Sequence, residues 1–330
     1  MPSPSILLSV VIPVYNEGAG VLDVLRAVEP PLRACAPSHE ILFVDDGSQD
    51  DTWAFIRQVC DDRTGVRGIR LTRNFGKEAA LWAGLAQARG QAVLVMDGDL
   101  QHPPALIPRM IELWQQTGVE VVEAIKMDRG NEKLLHRLGA RAFYTLMNRL
   151  SGFGLERSSD FKLLDRRAVD QLLRLEERNL FFRGLVAWMG FERLQIPFSV
   201  PERAQGRSKW SFPKLAAFFT RSITSFSTLP LQLITLAGLL FLVFALVLGT
   251  KVFVQWWMGQ AVEGFTTVIL LLEIIGSLLM LSLGVIGLYL ARIYEEVKRR
   301  PRSVIRETLP RSPSLPAASE AAPTDAAGLP

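Results

Sequence analysis

From the N-terminus to about residue 130, apolar and polar positions fall into alternating blocks. Apolar runs at Leu7–Val14, Glu40–Val44, Val66–Leu71, Ala92–Met96 and Glu120–Ile125 read as strands. Between them Gly18–Ala34, Asp50–Cys60, Lys77–Ala88 and Pro104–Gln116 read as helices. Near-continuous apolar strands alternating with helices predict an α/β fold, a mostly parallel sheet with helices on both faces. Ligands of such sheets bind beyond the carboxyl ends of the strands. Polar clusters fall at those ends: Tyr15-Asn16-Glu17, Asp45-Asp46-Gly47-Ser48, Arg73-Asn74 and Asp97-Gly98-Asp99.

The pattern changes further along. Asn131–Leu150 reads as a helix, Phe161–Leu164 as a short strand, and Leu194–Val200 as strand-like. Apolar residues then recur at helical spacing at Phe212, Leu215, Phe219, Ile223, Phe226 and Leu229, with Lys214 and Arg221 off the stripe. That predicts an interfacial amphipathic helix over 211–228, or a helix packed on the preceding domain. Leu229–Thr250 carries no charge, and Gly264–Ala291 carries only Glu273. Each run can cross about 30 Å of hydrocarbon at about 1.5 Å per residue, so a transmembrane hairpin is expected, with spans at 229–250 and 265–291. Trp256 and Trp257 suit a membrane interface, and Lys209, Lys214, Arg221, Arg292, Lys298, Arg299, Arg300 and Arg302 flank the spans on one side. The organisation expected is a cytoplasmic α/β domain over 1–210, the helix over 211–228 and the hairpin over 229–292. A basic juxtamembrane segment follows over 293–330, with a Pro/Ala/Ser-rich tail, disordered from Ser303. The location expected is a multi-pass protein of the inner (plasma) membrane.

Charge and cysteine content narrow the partners. The net charge is +4, and much of the basic excess lies beside the spans, where it meets the lipid bilayer; no nucleic acid is needed to explain it. Self-association into a homo-oligomer is compatible with the chain. Cys35 and Cys60 have no metal spacing and read as reduced. Asp97 and Asp99, two apart, share a face if the segment is extended, and Gly98 would admit a ligand close to the backbone. Two adjacent carboxylates repel unless a cation joins them, and Mg²⁺ is commonly held by one or two carboxylates plus substrate phosphates. Asp45-Asp46 reads as a turn with Ser48 capping the next helix and as a hydrogen-bond acceptor for a base or ribose, two readings that can hold at once. His102, before Pro103-Pro104, reads as a loop-shaping residue.

VVIPVYNE, ILFVDDGSQDDT, LTRNFGKEAAL and VLVMDGDLQHPP together resemble the inverting glycosyltransferases of family two. SSDFKLLDRRAV, RNLFFRGLVAWMGF and PERAQGRSKWSFPKL, followed by the hairpin, resemble its polyisoprenyl-phosphate glycosyltransferase group, from about Ser9 to Arg300. The resemblance implies a nucleotide-diphospho-sugar transferase (GT-A) fold, a nucleotide sugar donor, a polyprenyl phosphate acceptor and Mg²⁺ or Mn²⁺ as cofactor. It implies that Pro13, Tyr15, Glu17 and Lys77 line the nucleotide-sugar pocket, with Asp46 or Asp45 at the base. Asp97 would meet ribose and diphosphate, and Asp99 with Gln101, and with Asp97 beside them, would hold the metal. Arg129, Arg203 and Lys209 would contact phosphates; Lys126 departs from the family's G-x-R pattern. Asp160 is the family's catalytic carboxylate, as base or as orienting group. Two rivals are a processive polysaccharide synthase, whose Q-x-x-R-W pattern is absent, and a non-catalytic lipid-carrier-binding protein.

Overall fold

A computed structural model of the chain describes residues 6–126, 159–177, 181–198, 229–259 and 264–310. Its centre is an eight-stranded sheet in the order β7-β5-β6-β4-β1-β2-β3-β8. The strands are β1 (Leu8–Val14), β2 (His39–Asp45), β3 (Val66–Leu71), β4 (Ala92–Val95), β5 (Val121–Lys126), β6 (Lys162–Asp165), β7 (Arg193–Phe198) and β8 (Ile305–Leu309). The pairs β1–β2, β1–β4, β2–β3 and β5–β7 are parallel, whereas β6 runs antiparallel to β4 and β5, and β8 antiparallel to β3. The mostly parallel α/β expectation is therefore met.

Alternation along β1 shows how the core is divided. Leu8, Val10, Ile12 and Val14 join the cluster under α1 (Gly20–Cys35), α2 (Thr52–Asp62) and α4 (Ile107–Thr117). Val11 joins the opposite cluster under α3 (Lys77–Gln87), α5 (Arg166–Arg174) and α6 (Phe182–Trp188). Burial on both faces is why these strands read as unbroken apolar runs. Ser9, the polar interruption in β1, is buried and donates to Glu40 Oε1 at 2.6 Å, while Arg67 pairs with Glu40 at 2.9 Å. Helix α3 lies flush on the sheet at Gly84, where a Cβ would overlap Val11 and Val44. Close approach there fixes how α3 presents its first turn.

Beyond β7, α7 (Leu229–Trp257) and α8 (Phe265–Val297) are long and apolar enough to cross a membrane, and they contact each other. Leu240, Val247 and Met280 point outward, exposed. Helix α7 runs past Thr250, the expected end of the span, to Trp257 and meets no glycine or proline there before Gly259. The segment expected to be an amphipathic helix, 211–228, and the helix expected over Asn131–Leu150 lie outside the described residues.

One expectation is overturned. The tail is not disordered from Ser303: Ile305–Leu309 forms β8, pairing Gly68 with Leu309 and Arg70 with Glu307. Averaging over a Pro/Ala/Ser-rich tail concealed a short β-prone stretch, Val304-Ile305-Arg306-Glu307-Thr308-Leu309. Its ladder satisfies the otherwise open edge of β3, and Leu309 enters the core.

Candidate active site

Register brings the polar clusters together. β1 and β2 end level, with Val14 opposite Asp45 and the Asp46 N–H donating to Val14 O at 3.0 Å. β4 ends beside them, Val11 opposite Val95. Because β6 runs against β4, with Val95 opposite Lys162, the start of β6 meets the end of β4. This reversal delivers Asp160 from a distant part of the chain to Asp97. Lys77, opening α3, joins the two carboxylates, with Nζ 2.5 Å from Asp97 Oδ1 and 2.6 Å from Asp160 Oδ2.

Asp160 is the best-held group of the site. Arg183, on α6, grips it bidentately, Nε to Oδ1 at 2.6 Å and Nη2 to Oδ2 at 2.8 Å. Burial alone would push this carboxyl up. The hydrogen bonds and charge of Arg183, and then Lys77, overcome that and hold it well below its ordinary 3.8. Asp160 is thus ionised at every physiological pH and is a poor proton acceptor; the geometry suits orienting and charge balance. Neither Arg183 nor Glu78 was singled out in the sequence, although both lie in the quoted segments RNLFFRGL and NFGKEAAL. Glu78 accepts the Phe182 N–H at 3.1 Å, tying α3 to α6. Burial, then the charge of Asp160, raises its pKa to about 7, against the lowering effects of Phe182 N–H, Lys77 and Arg183. Behind Asp160, Lys162 and Glu123 form a fully buried ion pair, and burial lowers Lys162 to about 8 despite its partner.

The strand-end loops are laced to one another. Asn16 adopts a left-handed conformation (φ 54°), its N–H donating to Ser48 Oγ at 2.9 Å, while Glu17 and Gly18 N–H donate to Thr52 Oγ1 at 3.0 and 2.8 Å. Ser48 is therefore a loop staple and not the cap expected for α2, which begins at Thr52. Asp46 accepts from Phe75 and Gly76 N–H at 2.8 and 2.9 Å, and Asp45 accepts from Ser48 N–H at 2.8 Å with Arg70 3.3 Å away. Burial raises Asp46, partly offset by those two N–H groups. Both carboxylates hold the loops in shape. Pro13 is half-buried beside them, and Tyr15 and Glu17 are exposed.

Residues 98–99 form a turn, followed by Leu100 in the left-handed region (φ 55°), so the segment is not extended between Asp97 and Asp99. Asp97 faces Lys77, while Asp99 is exposed and accepts the Gln101 N–H at 3.1 Å. At Gly98 a Cβ would sit 3.0 Å from Val14 Cγ1, so this glycine makes room for the end of β1. His102 shapes the loop: it is buried, stacks on Phe161 at 5.1 Å, and its Nδ1 accepts the Asp97 N–H at 3.2 Å.

Among the described residues no three His, Cys, Asp or Glu side chains cluster as ligands. A hard divalent ion needs fewer when substrate phosphates complete its shell. Asp99 fits that requirement: it is exposed, has no cationic partner among the described residues, and its charge helps raise Glu17, after burial. Asp97 fits it only as Lys77 gives way. Arg129, Arg203 and Lys209 lie outside the described residues.

The mixed sheet with its covering helices is GT-A-like, and at its strand ends Lys77 and Arg183 brace an acidic cluster. Residues 9–173 match the model of glycosyl transferase family 2, and the chain belongs to that family of glycosyltransferases. It is 36% identical over 303 residues to the SfII prophage-derived bactoprenol glucosyl transferase of Shigella flexneri, covering 91% of this chain and 98% of that one. It is 35% identical over 314 residues to the glycosyltransferase YkcC of Bacillus subtilis, covering 93% and 95%. Among solved structures, glucosyl-3-phosphoglycerate synthase from Mycobacterium tuberculosis aligns with a TM-score of 0.45 and 22% identity over 66% of this chain and 77% of that one. That likeness is too loose to carry residue roles.

Proposed function

We propose that the protein moves a sugar from a nucleotide sugar, UDP-linked such as UDP-glucose, to a polyprenyl phosphate such as undecaprenyl phosphate, inverting the anomeric carbon. The observation that carries the acceptor is the reach of the likeness to the bactoprenol glucosyl transferase, which covers 91% of this chain and so runs past the sheet into the apolar helices. Both helices would span the inner membrane, with the basic flanks and the catalytic sheet on the cytoplasmic side.

Pro13, Tyr15, Glu17 and Asp46 would line the nucleotide, with Asp45 shaping that loop. Lys77 and Asp97 would lie at the diphosphate, and Arg129, Arg203 and Lys209 would meet donor or acceptor phosphates. Mg²⁺ or Mn²⁺, held by Asp99 with Asp97 and Gln101, would supply neutralisation of the leaving diphosphate. The acceptor needs little base assistance, since a phosphate monoester with a second pKa of about 6 is largely deprotonated at neutral pH. A permanently ionised Asp160 agrees with that: it keeps Lys77 and Arg183 aimed at the reaction centre, where they balance the growing negative charge.

Membranes containing the protein, incubated with labelled UDP-sugars, undecaprenyl phosphate and Mg²⁺, should place label on organic-extractable lipid phosphate. Label in polymer would support a processive synthase instead, and no transfer from any donor to lipid overturns the proposal. Asp99→Asn should abolish transfer; wild-type rates in that variant would remove the metal role given to Asp99.

A further inference from the structure

We propose that residues 298–310 form a strap that pins the cytoplasmic root of α8 to the catalytic cage, and that Arg302 is the positioning residue within it. Helix α8 ends at Val297, and the chain then turns back onto the catalytic half. The Arg302 guanidinium lies over the Trp82 ring, 4.6 Å from its centroid, and donates to Leu175 O. Thr72 N–H donates to Val304 O at 2.9 Å, and β8 then adds to β3. Trp53 Nε1 donates to Glu307 Oε2 at 3.2 Å, and Leu309 is buried, so the far end is anchored too.

What Arg302 touches gives the strap its meaning. Trp82 is on α3, five residues from Lys77, or about 7.5 Å along a rigid helix at about 1.5 Å per residue. Leu175 closes α5, and the chain from there leads to α6, which carries Arg183. One guanidinium therefore braces α3, which carries Lys77, and the end of α5, which packs on the Arg183-bearing α6, and Glu78 joins α3 to α6 through Phe182 N–H. The same segment is the continuation of a membrane-length helix. An open cavity of about 650 Å³, lined by Leu175, Glu296, Arg299, Arg300 and Arg302 among others, lies at this junction. With a cavity beside it, the Arg302 contact is a brace between separate elements, and packing alone does not fix it. A planar guanidinium both stacks and donates, which lysine does only in part.

The test uses the full chain in lipid nanodiscs with two readouts, and only the second rests on the function proposed above. Amide hydrogen exchange is compared among wild type, Arg302→Ala, Arg302→Lys and Arg306→Ala, an exposed strap arginine on β8. In Arg302→Ala, exchange should rise about tenfold in the first turns of α3 and in α6, while β3 and β8 stay protected; a contact of this kind is worth on the order of tenfold in an equilibrium constant. Arg302→Lys should fall between, and Arg306→Ala should match wild type. With UDP-glucose and undecaprenyl phosphate, kcat should fall about tenfold in Arg302→Ala with donor KM unchanged. Exchange that rises only within 301–304, or equally in Arg306→Ala, overturns the proposal. So does a fall in activity that is entirely in KM. If wild type transfers nothing to lipid, the substrate assignment fails while the exchange result still decides the strap.

Discussion

Glu78→Gln offers a quantitative check on the cage around Asp160. In the folded protein Glu78 titrates near 7 against an ordinary 4.5, burial being the largest cause and the charge of Asp160 the next. Below 4.5 the side chain is neutral in both folded and unfolded chains, and nothing is lost. Between 4.5 and about 7 the unfolded chain gives up a proton that the folded protein retains, so stability falls as pH rises; above 7 the loss is complete. At about 1.36 kcal/mol per pH unit, this group alone removes about 2.5 kcal/mol between pH 5 and pH 8. Glutamine does not titrate, yet its amide oxygen still accepts from Phe182 N–H. The variant should therefore gain on wild type as pH rises, by about 5–10 °C in melting temperature over that interval for a domain of this size. Thermal melts of both proteins in nanodiscs, at one scan rate and at pH 5, 6, 7 and 8, measure it; every other titrating group cancels in the difference to first order. An offset that is flat across this range, or that shrinks towards pH 8, refutes a buried, proton-retaining Glu78.

Two further substitutions probe the surroundings of the site. Lys162→Met removes the ammonium paired with the buried Glu123 carboxylate and should cost about 3–5 kcal/mol in chemical denaturation, while Lys162→Met with Glu123→Leu should recover most of that loss; equal losses in both would show that the cost does not come from leaving the Glu123 charge behind. Gly47→Ala puts a Cβ about 2.7 Å from Arg73 Cα at a φ of +70°, and should destabilise by about 2–4 kcal/mol through strain and overlap, read by the same denaturation. Wild-type stability there would mean that the β2 and β3 loops do not interlock as described.

Much of the sheet was legible because strands buried on both faces announce themselves as apolar runs, and a polar cluster after such a run marks a strand end. Asp97, Asp99 and Asp160 could be nominated on those grounds and by resemblance, but their division of labour could not. That division depends on Lys77 standing between Asp97 and Asp160, a contact across 83 positions. Arg183 was hidden because a lone arginine on an amphipathic helix resembles any solvated one until the fold turns α6 toward β6. Asp45 and Asp46 look like ligand acceptors in sequence; that they also accept from backbone N–H groups 3 to 30 positions away, bracing the loops, no local pattern shows. Strand β8 was lost for a different reason: five residues of edge strand are a small fraction of a tail whose average composition opposes order.

The position of β8 also orders the events of synthesis. The catalytic sheet lacks its last strand until the ribosome has produced both apolar helices and the residues beyond them. Until then β3 is an open edge, the kind of surface on which nascent sheets pair wrongly. Synthesis of α7 and α8 therefore precedes completion of the fold, and a chain stalled between the helices carries a sheet without its edge strand. The sheet is closed only by chain made after both apolar helices.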